Sequence, residues 1–104
     1  MMEQRMMNKL GIKPAQVTRG TVLDEARNLI TGNRAEMHGD AKQNFTNIAK
    51  LWSVYLDREV GAKDVALMMS LLKIARTKTG EMNHDDVVDA IGYLALGEEV
   101  APTR

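Results

Sequence analysis

The stretch NHDDVVDAIGY places Asp85, Asp86 and Asp89 in five consecutive positions, with Tyr93 one turn later. On a helix, Asp86, Asp89 and Tyr93 share a face at i, i+3 and i+7. Two carboxylates so spaced can share a hard cation such as Mg²⁺, which takes oxygen ligands and keeps several waters. The chemistry such a pair would serve is metal-assisted attack of water on a phosphoanhydride. The positive end of the helix dipole accounts for Asp85 and Asp86 without any site. It does not account for Asp89, which lies deeper, or for Tyr93 on the same stripe.

Other polar residues interrupt apolar patterns, and a buried polar group needs a partner. Asn44 falls between Ile48 and Leu51, either as an amide tying two helices or as a ligand contact at the mouth of a bundle. Asp64 lies on the line of Met68, Leu71 and Ala75. It reads as a capping acid after Gly61 or as a third carboxylate for a metal or a basic partner. Lys73 and Arg76 occupy the last turns of a helix, where cations are favoured. Opposite a carboxylate helix they would bind phosphate or close salt bridges. Arg34 and His38 sit between two glycines in GNRAEMHGD, suited to an anion or simply to a surface loop. The two histidines lack HExxH spacing and the chain has no cysteine, which argues against zinc. No GxSxG, Walker A or GxGxxG pattern is present, which disfavours serine hydrolases, P-loop NTPases and Rossmann enzymes.

Four helices must position these residues. Periodicity predicts them over Thr21–Thr31, about Asp40–Asp57, about Ala62–Lys78 and about His84–Leu96. Thr21 is the expected N-cap of the first, and Gly32 and Gly97 the expected stops of the first and last. The expected core faces are Val22, Leu23, Ala26, Leu29 and Ile30 on the first helix, and Ala41, Phe45, Ile48, Leu51, Trp52 and Tyr55 on the second. On the fourth they are Val87, Val88, Ile91 and Leu94. The third helix is apolar nearly all round, the mark of a central helix or one shared between subunits. The expectation is one compact all-α, four-helix bundle-like domain over 21–97, oligomeric, with a lead-in over 1–20 and a solvated tail over 98–104.

The 104 residues suffice for one modest core. Absence of cysteine fits a cytoplasmic protein, the opening MMEQRMMNKL is too polar for a signal peptide, and no apolar run is long enough to span a membrane. Fourteen basic and fourteen acidic residues balance, which argues against nucleic acid as a partner. The balance hides an asymmetry: residues 1–52 hold eight Lys/Arg against five Asp/Glu, and residues 53–104 hold six against nine.

The segments LITGNRAEMHGDAKQNFTNIAKLWSVYL, KDVALMMSLLKIARTKTG and HDDVVDAIGYLAL together resemble a family of small phage and prophage proteins of unknown function. The resemblance covers about Val22–Leu96. The layout is also similar to the all-α MazG-like nucleotide pyrophosphohydrolases, in which acidic pairs on two helices hold Mg²⁺ against a nucleoside triphosphate. Asp86 and Asp89 match one such pair. The second helix has no Glu-x-x-Glu, so Asp64 or Asp40 would have to substitute for the second pair.

Three functions follow as expectations. The first is a protein that binds a phosphorylated nucleotide-type ligand through Arg34, His38, Asn44, Lys73, Arg76 and Tyr93, as a Mg-dependent phosphohydrolase if Asp64, Asp86 and Asp89 hold metal. The second is a non-catalytic binder that sequesters a host nucleotide signal or inhibits a host defence protein. The third is a homo-oligomer whose polar residues are interhelical salt bridges.

Overall fold

A computed structural model describes residues 17–32, 40–79 and 83–102. These form four α-helices and, among the described residues, no strand: α1 (Arg19–Thr31), α2 (Ala41–Leu56), α3 (Ala62–Arg76) and α4 (Asn83–Val100). The all-α bundle-like architecture matches expectation. The lead-in over 1–16, and Arg34 and His38 in the connector between α1 and α2, lie outside the described residues.

Caps set the helix limits. α1 starts two residues before its expected position because Thr18, not Thr21, is the N-cap. The Thr21 amide donates to Thr18 Oγ1 at 3.1 Å, and the Thr18 amide donates to Thr21 Oγ1 at 2.9 Å. This reciprocal pair satisfies two end donors and carries the helix through Gly20. The α2 N-cap is Asp40, whose Oδ1 accepts from the Lys42 amide at 3.0 Å. α2 ends at Asp57, which takes the left-handed conformation at φ 52°. Ser53 then ties the turn: its Oγ accepts from the Val60 amide at 2.9 Å and donates to the Ala49 carbonyl at 2.7 Å.

α3 and α4 form the central pair. Contacts of Ala66 with Gly97, Ser70 with Ala90, Lys73 with Asp89 and Arg76 with Asp86 run in opposite chain directions, so the two helices are antiparallel. α1 packs on α4, and α2 packs chiefly on α3. The principal core is Phe45, Ala49, Val65 and Ala66, with Ile48, Trp52, Met69, Tyr93 and Leu96 packed around it.

Gly97 does not stop α4. A Cβ there would lie 3.0 Å from the Ala66 Cβ, so the glycine lets two backbones approach, and the helix continues to Val100. Val100 packs against the core; the segment expected to begin a solvated tail is therefore the last turn of a helix.

The expected core faces hold in part. On α4, Val88 is buried as expected, but Val87 and Leu94 are 41% and 47% exposed, and Asp86, Asp89, Ala90 and Gly92 are buried in their place. On α2, Phe45 is buried and Ala41, Ile48 and Trp52 pack on the core as expected, but Leu51 and Tyr55 are 72% and 88% exposed and Ala49 is buried. On α1, Ala26 is buried but Leu23 is exposed. No helix among the described residues is long and apolar enough to cross a membrane.

Candidate functional site

The carboxylates on α4 meet the cations on α3. Both pairs lie three residues apart on their helices, and antiparallel packing sets them in register. Asp89 Oδ2 lies 3.1 Å from Lys73 Nζ, with both side chains largely buried. Asp86 Oδ1 lies 3.3 Å from Arg76 Nε; the aspartate is buried while the arginine reaches water. One turn along, Ser70 Oγ donates to the Ala90 carbonyl at 2.8 Å in a fully enclosed position. Small residues let the helices close on this seam, which is why charges three residues apart can meet so directly. A buried carboxylate is tolerable only when paired and hydrogen-bonded, and the seam provides that. Among the described residues, no buried side-chain polar atom lacks a hydrogen-bond partner.

Asp89 has a second role. It lines a cleft of about 780 Å³ bounded by the end of α1, the start of α2 and the outer half of α4. Such a volume suits a small organic ligand. Leu29, Ile30, Phe45, Leu96 and Val100 give the cleft an apolar lining, and Asp40, Lys42, Asn44, Asp89, Tyr93 and Glu99 give it polar groups. Phe45 and Tyr93 form one wall, with ring centroids 6.2 Å apart and planes tilted by 52°. Gly92 brings α1 close: a Cβ there would stand 3.1 Å from Ile30 Cγ2.

The residues singled out in the sequence divide accordingly. Asn44, Asp89 and Tyr93 come together in the cleft. Asn44 is exposed, so it sits on the rim of the cleft and not in the core. Lys73, Arg76, Asp86 and Asp89 come together in the seam. Asp64 joins neither: it is exposed, and its Oδ2 accepts from the Gly61 amide at 2.8 Å, capping α3. Lys42 and Glu99 line the cleft without having been expected to. Lys42 looked like any exposed helix lysine, and Glu99 lay beyond the expected end of α4. A further tie, His84 Nε2 to Glu25 Oε2 at 2.8 Å, joins α4 to α1. No local pattern announces it, because the partners are 59 positions apart.

The donor set has a clear limit for metal chemistry. Asp86 faces Arg76 and Asp64 caps α3, so neither is at the cleft with Asp89. Among the described residues, no group of three or more His, Cys, Asp or Glu stands close enough to hold a metal ion by itself. Asp40, Asp89 and Glu99 nevertheless line the cleft against one lysine, Lys42.

The profile of a family described as Domain of unknown function (DUF6378) matches residues 21–101. The Gene 55 protein of Mycobacterium phage L5 is 43% identical over 81 residues, 77% of this chain and 52% of its own length. The Gene 55 protein of Mycobacterium phage D29 is 40% identical over 80 residues, 77% of this chain and 53% of its own. The chain thus spans about half the length of these relatives. No solved structure matches it.

Proposed function

The chain belongs to the DUF6378 family, which has phage members, and from that premise and the cleft we propose that it binds a phosphorylated nucleotide-type ligand. The observation that carries the reading is the cleft itself, an apolar pocket of ligand size with an aromatic wall and a few polar groups. A nucleobase lies against Phe45 and Tyr93, where an aromatic face stabilises it by stacking. Asn44, an amide with both donors and an acceptor, pairs with a polar edge of the ligand. Lys42 offers a positive charge to phosphate. Asp40, Asp89 and Glu99 would repel a bare polyphosphate, so the phosphate enters as its Mg²⁺ complex. Mg²⁺ is commonly held by one or two carboxylates together with substrate phosphates, not by a full protein cage. Asp89, with Asp40 or Glu99, would hold it, and the ion would supply neutralisation of the phosphate charge.

Lys73 keeps Asp89 fixed at the edge of the cleft, and Arg76 does the same for Asp86 behind it. Their charges are spent on these carboxylates and not on ligand phosphate. With one cleft carboxylate already paired, the reading is binding without turnover, as for a protein that sequesters a host nucleotide signal. The MazG-like alternative is hydrolysis by the same site.

The test is a thermal-shift screen of nucleoside mono-, di- and triphosphates, dinucleotides and cyclic nucleotides, each with and without Mg²⁺. A ligand at a hundred times its dissociation constant stabilises the folded state by about 2.7 kcal/mol. The expected result is a Mg²⁺-dependent shift with the ligand recovered intact after denaturation. Recovery of cleaved nucleotide would establish the hydrolase instead. No shift with any of them would remove the nucleotide reading and leave the polar residues as interhelical ties.

A further inference from the structure

The outer face of α3 carries a second, independent pattern. Leu67, Met68, Leu71, Leu72 and Ile74 are 36%, 41%, 63%, 47% and 48% exposed, although α3 also carries the most enclosed core residues, Val65 and Ala66. A contiguous apolar surface of this kind marks an interaction site. Asp64, Met68, Leu71, Ala75 and Lys78 follow one another at spacings of four, three, four and three residues. That is the spacing of a coiled-coil seam, which stays on one side of a helix throughout. α3 itself ends at Arg76, and Lys78 lies in the turn that follows it, where its amide donates to the Ala75 carbonyl at 3.3 Å.

The seam has opposite charges at its two ends and Leu71 at its middle. Asp64 and Lys78 each lie seven residues from Leu71 and both are exposed. We propose that the outer face of α3 is the contact surface for a second copy of this chain, packed antiparallel with Leu71 on the two-fold axis. The arrangement is self-complementary. It sets Asp64 of each copy beside Lys78 of the other, and Met68 beside Ile74 and Ala75. A parallel arrangement would set aspartate on aspartate and lysine on lysine, so charge selects the antiparallel one. Isologous contact about a two-fold axis closes after two copies. The capping bond to Gly61 uses Oδ2 of Asp64 and leaves Oδ1 for the lysine.

The test uses the full chain. Wild-type protein should have twice the 11.6 kDa chain mass in light scattering behind gel filtration. Leu71→Asp sets two like charges on the axis. It should weaken the dimer by about a hundredfold or more while keeping the helical circular dichroism, because Leu71 is a surface residue. The chain has no cysteine, so Leu71→Cys introduces a single one. Oxidised, it should form a disulfide-linked dimer efficiently, and Leu67→Cys should not unless mixed with Ala75→Cys. A wild-type monomer across a dilution series would overturn the proposal, as would a folded Leu71→Asp that keeps its dimer mass. Equal self-cross-linking of Leu67→Cys and Leu71→Cys would overturn the antiparallel register.

Discussion

Replacing Lys73 by methionine removes a charge and keeps most of the stem. In the wild type, Lys73 Nζ lies 3.1 Å from Asp89 Oδ2, with the two side chains 17% and 7% exposed. Without it, Asp89 is a buried carboxylate facing the apolar end of a methionine. Breaking a buried pair from one side costs about 3–5 kcal/mol. The cleft gives Asp89 some access to water, so the low end, about 3 kcal/mol, is the expected loss. Against a total stability of roughly 5–15 kcal/mol for a domain, that is a large fraction. Replacing both partners, as Lys73→Met with Asp89→Leu, removes both charges and should recover part of the loss. Arg76→Met should cost less, because the Arg76 side chain is 58% exposed and its charge is already solvated. The assay is urea unfolding at fixed protein concentration, read as a shift in midpoint at constant slope, with the double-mutant cycle isolating the pair. A Lys73→Met protein within about 0.5 kcal/mol of wild type, the range of ordinary surface substitutions, would refute the claim that Lys73 holds Asp89.

The two glycines on α4 should respond in opposite directions to alanine. Gly97→Ala drives a methyl against the Ala66 methyl, which cannot rotate away, and should lower stability by about 1 kcal/mol or more. Gly92→Ala meets only the end of Ile30, a side chain that can shift, so the helix-propensity gain of up to about 1 kcal/mol should prevail. Thermal unfolding of the two variants against wild type checks both signs. Asp40→Ala and Asp64→Ala each remove a cap at the start of a helix and should cost about 1 kcal/mol apiece. Only Asp40→Ala should also alter ligand binding, since Asp40 lines the cleft, and the two effects separate in a binding titration.

The shared face of Asp86 and Asp89 was legible, as were the cations three residues apart on the preceding helix, because i, i+3 spacing fixes a face regardless of what lies opposite. That carboxylates and cations face each other depends on the antiparallel register of α3 and α4. Ala66, Ser70, Ala90 and Gly97 set that register by allowing close approach, and small residues carry little weight in a hydropathy pattern. The same cause turned part of the expected face of α4 outward. Val88 is buried as expected, but Val87 and Leu94 lie outside, because paired aspartates and small residues share the inner face. Gly97 has the usual look of a helix stop, and only the neighbouring helix gives it another purpose. Phe45 and Tyr93 were each noticed, but the cleft they wall joins residues 29–45 to residues 89–100, which are far apart in the sequence.

The most direct test of the account is a calorimetric titration of the nucleotide that gives the largest thermal shift, with Mg²⁺ present, into wild-type protein and into Tyr93→Ala. The account predicts saturable binding to wild type and its loss in a variant that keeps its helical content. Equal affinity for the two proteins would contradict it, by putting the ligand somewhere other than the cleft.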